Sequence, residues 1–559
     1  MPDESVPSKV ILYCGRDCDS FERLVRRMAG DAPVTAERRG LTFTHPRARL
    51  HYRPAFTVGA ALSVLESEYV NLVLIDLRSD ADERILEKRM QHARRLLAEL
   101  DDVEDPETRY GFHRILVLVS SADGPRVDRL LVDLGGFGIR HVCKERPEGI
   151  EPAFGNCVVD DALKLMLDRE PKKVALCAAG GGTTAIFFEL GALKCLDDCL
   201  LAADGTRGAI NDFDMYFGIS AGAVVTSLLA NGYSAEEFMA GLAGAEGGRV
   251  PPLDLSLVRL GHLNVAGLAR RVAGLGGKSA AAIFDAIRGR GMPTVDGMFL
   301  EVTAAVGAPF RSDRFEEVVR GILTSNGATN DFRALRRELY IGASNQDSRR
   351  HMLFGEQAPA TPISLAVQAS LSINPAFSAV EIDGAWYEDG AVTRTSNFVE
   401  AIKRGANLVF VLDPFVPYVS SEPGFSNRRG MLFNIDQDVR SLSFTRFENA
   451  RDWALRRHPE VSAYTFLPNN RLRKLLSTNP MDHRPYMEIF SASYIGTLNR
   501  IKMIQHRLAG DVAVHGLTLD LEAADAIADR LEATSDPKFE DFFVDGRVEI
   551  RRPRLSLQS

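Results

Sequence analysis

Hydrophobic positions in the first quarter of the chain gather into short unbroken runs separated by longer amphipathic stretches. The runs Lys9–Cys14, Val70–Leu77, Arg114–Ser120 and Ile139–Lys144 are too short for helices, and their continuity predicts parallel strands buried on both faces. Between them, Ser20–Met28, Phe56–Glu68, Glu83–Leu100 and Arg126–Leu134 carry apolar residues at helical spacing. This alternation predicts a compact α/β domain over residues 1–148. The Pro- and Gly-rich stretch Glu145–Asn156 (ERPEGIEPAFGN) signals a break, and residues 149–172 read as a linker.

A second α/β pattern opens at Lys173 with VALCAAGGG and closes on the apolar run Asn407–Asp413 (NLVFVLD), giving a domain over 173–420. Within it, residues 235–330 are mostly helical in pattern, with glycine-rich joints at Gly244–Gly248 and Gly276–Gly277, and read as a cap or insertion over the sheet. From Asn434 the helical pattern returns, with amphipathic stretches at Asp438–Arg457 and Arg484–Leu508. Residues 421–559 are therefore expected as a helical extension packed on the second domain.

Composition narrows the class. A chain of 559 residues needs more than one core. Its 45% hydrophobic and 25% charged residues are those of a soluble globular protein, and a net charge of -8 gives no broad electrostatic footprint for nucleic acid. No apolar run approaches the roughly 20 residues of a spanning helix, and MPDESVPSKV lacks the order of a signal peptide. The expectation is a cytoplasmic protein, open to peripheral contact with a membrane. The seven cysteines are scattered. Cys14 with Cys18, or Cys195 with Cys199, could share a helix face, but no second close pair stands at zinc-ligand spacing, so they read as small buried thiols and no metal or cofactor is expected.

Three short segments carry chemistry. Gly218-Ile-Ser220-Ala-Gly222 lies between an apolar strand and a helical run, flanked by the small residues Ala221 and Ala223. A nucleophile elbow needs this context, because the strand-to-helix turn is tight and the helix N-terminus favours an oxyanion. Gly180-Gly181-Gly182 ends the strand opened by Val174 and precedes a helix, an arrangement that aims backbone N–H groups at negative charge. The same glycines with Ala185 also satisfy the dinucleotide fingerprint, which would use Asp204 as its acidic partner and leave Ser220 unexplained. Asp389 lies in AWYEDGA, where Asp-Gly by itself reads as a hairpin turn.

Taken in order, these segments resemble the patatin-like phospholipase family, with its glycine-rich oxyanion loop, then G-x-S-x-G, then D-G-[GA]. The neighbourhood agrees, in Ala369–Phe377 (ASLSINPAF) ahead of Asp389 and in AIKRGANLVFVLD after it, and the resemblance spans roughly 173–500. It implies a three-layer α/β/α domain and a calcium-independent lipid acyl hydrolase of the phospholipase A type, with Ser220 as nucleophile and Asp389 as base. It further implies Gly180, Gly181 and Gly182 as the oxyanion hole and Gly218 and Gly222 framing the nucleophile. This chain departs from the family at Thr184 and Ala185, where Arg or Lys and then Gly are common, in a spacing from Gly180 to Gly191 one residue longer than usual, and at Thr395, where Asn is usual. Those departures keep a weakly active or non-catalytic binding protein in view, as the unread cap keeps open an esterase acting on storage lipid or polyester. A Ser-His-Asp triad would need His458, His483, His506 or His515, none of which follows a clear strand in a short loop.

In the N-terminal domain Asp76, Ser120 and Lys144 end successive predicted strands, which resembles a degenerate response-regulator receiver domain. The acidic pair expected after its first strand is Cys14-Gly15 here, with Asp17 and Asp19 displaced. Such a module implies docking of a regulatory partner. Two basic stretches could meet a lipid surface: the amphipathic DLSLVRLGHLNVAGLARRVAGL within the cap, which better fits a cap helix packed on the sheet, and the tail Arg551–Arg554, which fits a solvated end equally well.

Overall fold

In the computed structural model, which describes residues 6–78, 83–120, 125–145, 154–167, 172–253, 312–374, 377–478 and 484–553, each apolar run of the N-terminal region forms a strand. The chain divides into two units, the first comprising Met1–Lys172, Asp452–Ser462 and Ile504–His515. Its strands are β1 (Ser8–Cys14), β2 (Thr35–Glu37), β3 (Gly40–His45), β4 (Ala48–Ala55), β5 (Leu72–Asp76), β6 (Ile115–Ser120) and β7 (His141–Glu145), in the sheet order β2-β3-β4-β1-β5-β6-β7. The last five are mutually parallel. They reproduce the 2-1-3-4-5 order of flavodoxin-like doubly wound sheets.

Helices α1 (Cys18–Ala29), α2 (Val58–Ser67), α3 (Glu83–Asp101), α4 (Pro125–Gly136) and α5 (Phe154–Leu167) follow in chain order. Because strand side chains alternate, Leu72 and Leu74 pack with α1 and α5 while Val73 and Ile75 pack with α2 and α3. The expected linker is corrected by α5, whose Val158, Val159, Ala162, Leu163 and Met166 are buried in that core. Pro and Gly before residue 154 mark a turn, and the helical spacing of the apolar residues after it decides the rest. The strands between 35 and 55 were missed, although β4 carries the alternation of a half-buried strand, with Leu50 and Tyr52 buried between Arg49, His51 and Arg53. The C-terminal extension is also corrected. Asp452 and Asp511 belong to the first unit, where they take Arg109 Nη2 at 2.7 Å and the Tyr69 hydroxyl at 2.8 Å.

The second unit holds β8 (Lys173–Ala178), α6 (Thr183–Cys199), β9 (Leu200–Leu201), β10 (Met215–Ile219), α7 (Ala221–Ala230), α8 (Ala235–Ala243), β11 (Glu338–Asn345), β12 (His351–Phe354), β13 (Val380–Ile382), β14 (Ala385–Asp389), β15 (Ala406–Leu412) and β16 (Ser462–Phe466). The sheet runs β13-β14-β11-β10-β8-β15-β16, with β12 on β11. Its centre, β11-β10-β8-β15, is parallel, and β14 joins β11 antiparallel. β16 falls inside the stretch expected to be helical, because the run Val461–Phe466 is too short to show a period of its own. The helical cap is described at its ends, α8 and the helix Asp313–Leu323; residues 254–311, including the amphipathic arginine-bearing segment, lie outside the described residues, as does Arg554. Among the described residues no helix is long and apolar enough to cross a membrane.

Candidate active site

The strand-to-helix turn at Ser220 has the backbone geometry of an elbow. Ser220 sits between β10 and α7 at φ 54°, ψ -119°, a conformation costly for a residue with a side chain. Such a turn persists only when its surroundings over-determine it. A Cβ on Gly222 would lie 2.3 Å from the carbonyl oxygen of Ala178, and one on Gly218 would lie 2.3 Å from Thr226 Oγ1. The Gly222 N–H donates to Ala179 O at 3.1 Å. The buried Ser220 N–H donates to Ser370 Oγ at 2.7 Å, and that hydroxyl donates to Gly342 O at 2.6 Å.

Sheet register places Asp389 beside this turn. Ile219 pairs with Gly342 of β11, and the next residue, Ala343, pairs with Asp389 of β14. Both Ser220 and Asp389 are at most 5% exposed. The Ser220 side chain is close enough to the Asp389 carboxyl group to influence its titration. Burial raises that carboxyl to about 6, and the nearby Ser220 side chain and the Ala391 N–H, donated to Oδ1 at 2.8 Å, oppose the rise. The Asp389 N–H donates to Ser372 O at 3.1 Å. One short segment, Ser370–Ser372, therefore holds the backbones of both residues. It lies in the ASLSINPAF stretch, yet sequence reasoning assigned it no role. Replacing Ser370 with alanine leaves the buried Ser220 N–H without its acceptor, a loss of about 1–3 kcal/mol. Thermal unfolding is expected to move down accordingly and turnover to fall with it; a variant unchanged in both would show that Ser370 holds nothing.

The glycine turn lies alongside. A Cβ on Gly180 would be 2.8 Å from Ser220 Cβ and 3.5 Å from Ser220 Oγ. Gly181 and Gly182 take φ 146° and 79°, and Gly182 caps α6. Among the described residues no backbone acceptor takes the N–H groups of these three glycines. Behind the turn, burial drives two acids toward their neutral forms: Glu189 of α6, with the charge of Asp413 adding to it, well above the carboxylate range, and Asp413, with Glu448 adding to it, to about 6. Asp413 accepts the Phe415 N–H at 2.9 Å, and Pro414 and Phe415 pack 3.6 and 3.7 Å from where a Gly181 Cβ would stand. Of the family departures, Thr184 and Ala185 are buried in α6, and Thr395 donates to Ser443 O at 2.7 Å, tying the segment after Asp389 to the helix Met431–Arg457.

The alternatives fare as follows. Asp204 follows the two-residue β9 in an exposed turn, accepting from Thr206, and does not end a parallel strand as a dinucleotide partner would. His458, His506 and His515 belong to the first unit, and His483 lies outside the described residues. A described histidine on β12, beside β11, is His351, which sequence reasoning missed. Burial lowers it to about 4, and its ring nitrogens face Thr393 Oγ1 at 3.1 Å and Asn397 Oδ1 at 3.0 Å. Among the described residues one group has ligand atoms close enough to share a metal ion, Cys143, Cys157 and Asp161 within 4.8 Å, and it lies in the first unit.

In the first unit the receiver-like trio is not assembled. Asp76 accepts the Tyr13 hydroxyl at 3.0 Å and is held by Arg78 through Nε and Nη2, each at 2.8 Å. Lys144 is exposed on the opposite strand face from Cys143 and Glu145, and Glu145 takes Arg78 Nη1 at 3.2 Å instead.

Comparison with known proteins agrees with the second unit. Residues 176–402 match the family described as patatin-like phospholipase. This stretch of the chain is a patatin-like phospholipase domain. Among solved structures the chain is similar to VipD from Legionella pneumophila, at 14% identity over 66% of this chain and 82% of that one, TM-score 0.24. It is similar to the type III effector protein ExoU, at 14% identity over 66% of this chain and 69% of that one, TM-score 0.26. It is also similar to the cytosolic domain of the T. maritima FeoB iron transporter, at 9% identity over 29% of this chain and 64% of that one, TM-score 0.20. No curated protein matches the chain.

Proposed function

We propose that the second unit hydrolyses fatty-acyl esters of lipids, phospholipids foremost, through a Ser220–Asp389 dyad. The observation that supports this reading is the sheet register that sets a strained, buried serine beside a buried carboxyl group raised to about 6. Asp389 takes the hydroxyl proton as Ser220 Oγ bonds to the ester carbonyl carbon. The resulting oxyanion is held by the N–H groups of the Gly180–Gly182 turn. Collapse breaks the ester C–O bond, and the leaving alcohol takes the proton from Asp389. Water then attacks the acyl-enzyme, giving its proton to Asp389, and the fatty acid leaves as Ser220 recovers its own.

Because Asp389 serves as base and backbone donors as charge stabilisers, turnover of long-chain acyl esters is expected to persist in excess calcium chelator. A fluorophosphonate probe is expected to label Ser220. An unlabelled Ser220 in the folded chain would favour a binding protein built on this fold, and loss of turnover on chelation would remove the calcium-independent mechanism. Assay against a lipid extract, with products identified, separates phospholipid from storage-lipid substrates.

A further inference from the structure

We propose that the first unit carries a binding site for a phosphate-bearing small molecule, in the cavity lined by Arg16, Arg23, Arg27, Arg78 and Arg89. Its place in the fold is the first reason. Open α/β sheets bind ligands outside the carboxyl ends of their strands, where the connections diverge to opposite faces. In this sheet that point lies between β1 and β5: β4 joins β1 on one side, and α1 and α2–α3 cover opposite faces. Arg16 follows β1 and Asp76 and Arg78 end β5, and all three line the cavity. Its volume of about 300 Å³ is at the lower end for small-molecule sites.

Charge is the second reason. Five arginines share the cavity with two carboxylates, Asp76 and Glu145. Arg78 already binds both, and Arg27 pairs with Glu145 as well. Arg16 Nε pairs with Asp17 at 3.1 Å, and among the described lining residues arginines still outnumber carboxylates. Arg23 reaches Ser20 Oγ at 3.4 Å, and Arg89 Nε is buried without an acceptor. A buried N–H lacking its acceptor costs about 1–3 kcal/mol, a deficit that a ligand oxygen would remove. Several planar N–H forks converging on one cavity suit a tetrahedral phosphate, whose oxygens can meet more than one fork at once. The same arrangement argues against phosphate transfer to Asp76, since that carboxylate is enclosed by Tyr13 and Arg78 and the Lys144 of a receiver-like site faces away.

The test uses the full chain and two probes, inorganic pyrophosphate and ATP, titrated by calorimetry at low and moderate salt. At least one probe is expected to bind one per chain and to weaken as salt rises. Arg23 is exposed on α1, so Arg23→Glu is expected to keep the fold, and it and Arg89→Gln should each weaken binding at least about tenfold, the effect of losing one charge-assisted hydrogen bond. Binding of pyrophosphate as tightly as ATP assigns recognition to the phosphates alone, whereas tighter ATP binding assigns it to a nucleotide; either supports the site. Failure of both probes to bind at millimolar concentration overturns it, as does unchanged binding in both variants. The variant Ser220→Ala should bind as the parent does, and loss of binding there would place the anion in the hydrolase site and also overturn the proposal.

Discussion

Replacing Ser220 with alanine is expected to lower turnover of a long-chain acyl ester by at least roughly 10⁴-fold, the scale on which nucleophile removal acts in serine hydrolases. The fold should survive. Alanine meets the same steric demand at φ 54° as serine does, and the backbone N–H to Ser370 Oγ remains. Thermal unfolding close to the parent's, combined with lost turnover and lost fluorophosphonate labelling, would place the nucleophile at Ser220. Residual turnover above a tenth of the parent's in a purified, folded variant would place it elsewhere.

The second large effect concerns Asp389. Asp389→Asn keeps the shape and removes the base, so kcat/KM is expected to fall by roughly 10²–10⁴-fold. In the parent, the raised carboxyl predicts an acid limb in kcat/KM with its midpoint near about 6, since protonation below that point removes the base. Stability should respond in the opposite sense. The folded state holds a proton on Asp389 up to about 6, the unfolded chain only up to the ordinary aspartate value of 3.8, so the fold loses stability as pH rises from 3.8 through 6. The ionised, buried carboxylate therefore costs on the order of 3 kcal/mol at pH 8. The neutral amide escapes that cost while forgoing some hydrogen bonding, so Asp389→Asn is expected to be the more thermostable protein at pH 8 and to lose that advantage near pH 4. A variant that is less stable at both pH values, or a rate profile flat through pH 6, would refute the buried-base account.

Much of the site was legible because its demands are local. A strand, a tight turn and a helix need small residues at fixed offsets, and Gly218, Ala221, Gly222 and Ala223 supply them around Ser220. Asp389 was different. On its own it read as a hairpin turn, and it does end a strand whose partner, β13, is antiparallel. What sets it beside Ser220 is its pairing with Ala343, one residue along from the partner of Ile219. That is a property of sheet register. Ser370 was hidden for a related reason, since its hydroxyl reaches a backbone 150 positions away.

The N-terminal unit draws the same line from the other side. Its apolar runs were sufficient to predict β1, β5, β6 and β7, because fully buried strands leave an unbroken hydrophobic signature. The order in which those strands pair, the hairpin added beyond β4 and the use of α5 as a covering helix came from packing between segments far apart in the chain. Asp76, Ser120 and Lys144 end neighbouring strands as expected, yet side-chain alternation turns Lys144 from Asp76 and brings Glu145 and the arginines to it. The sequence by itself determined the tight turn around Ser220, the buried strands and the class of the second unit, since each depends on residues within one or two turns of chain. Only the tertiary structure decided which carboxyl group meets Ser220 and which charges share the first unit's cavity, because both are set by strand register and face, which no local spacing encodes.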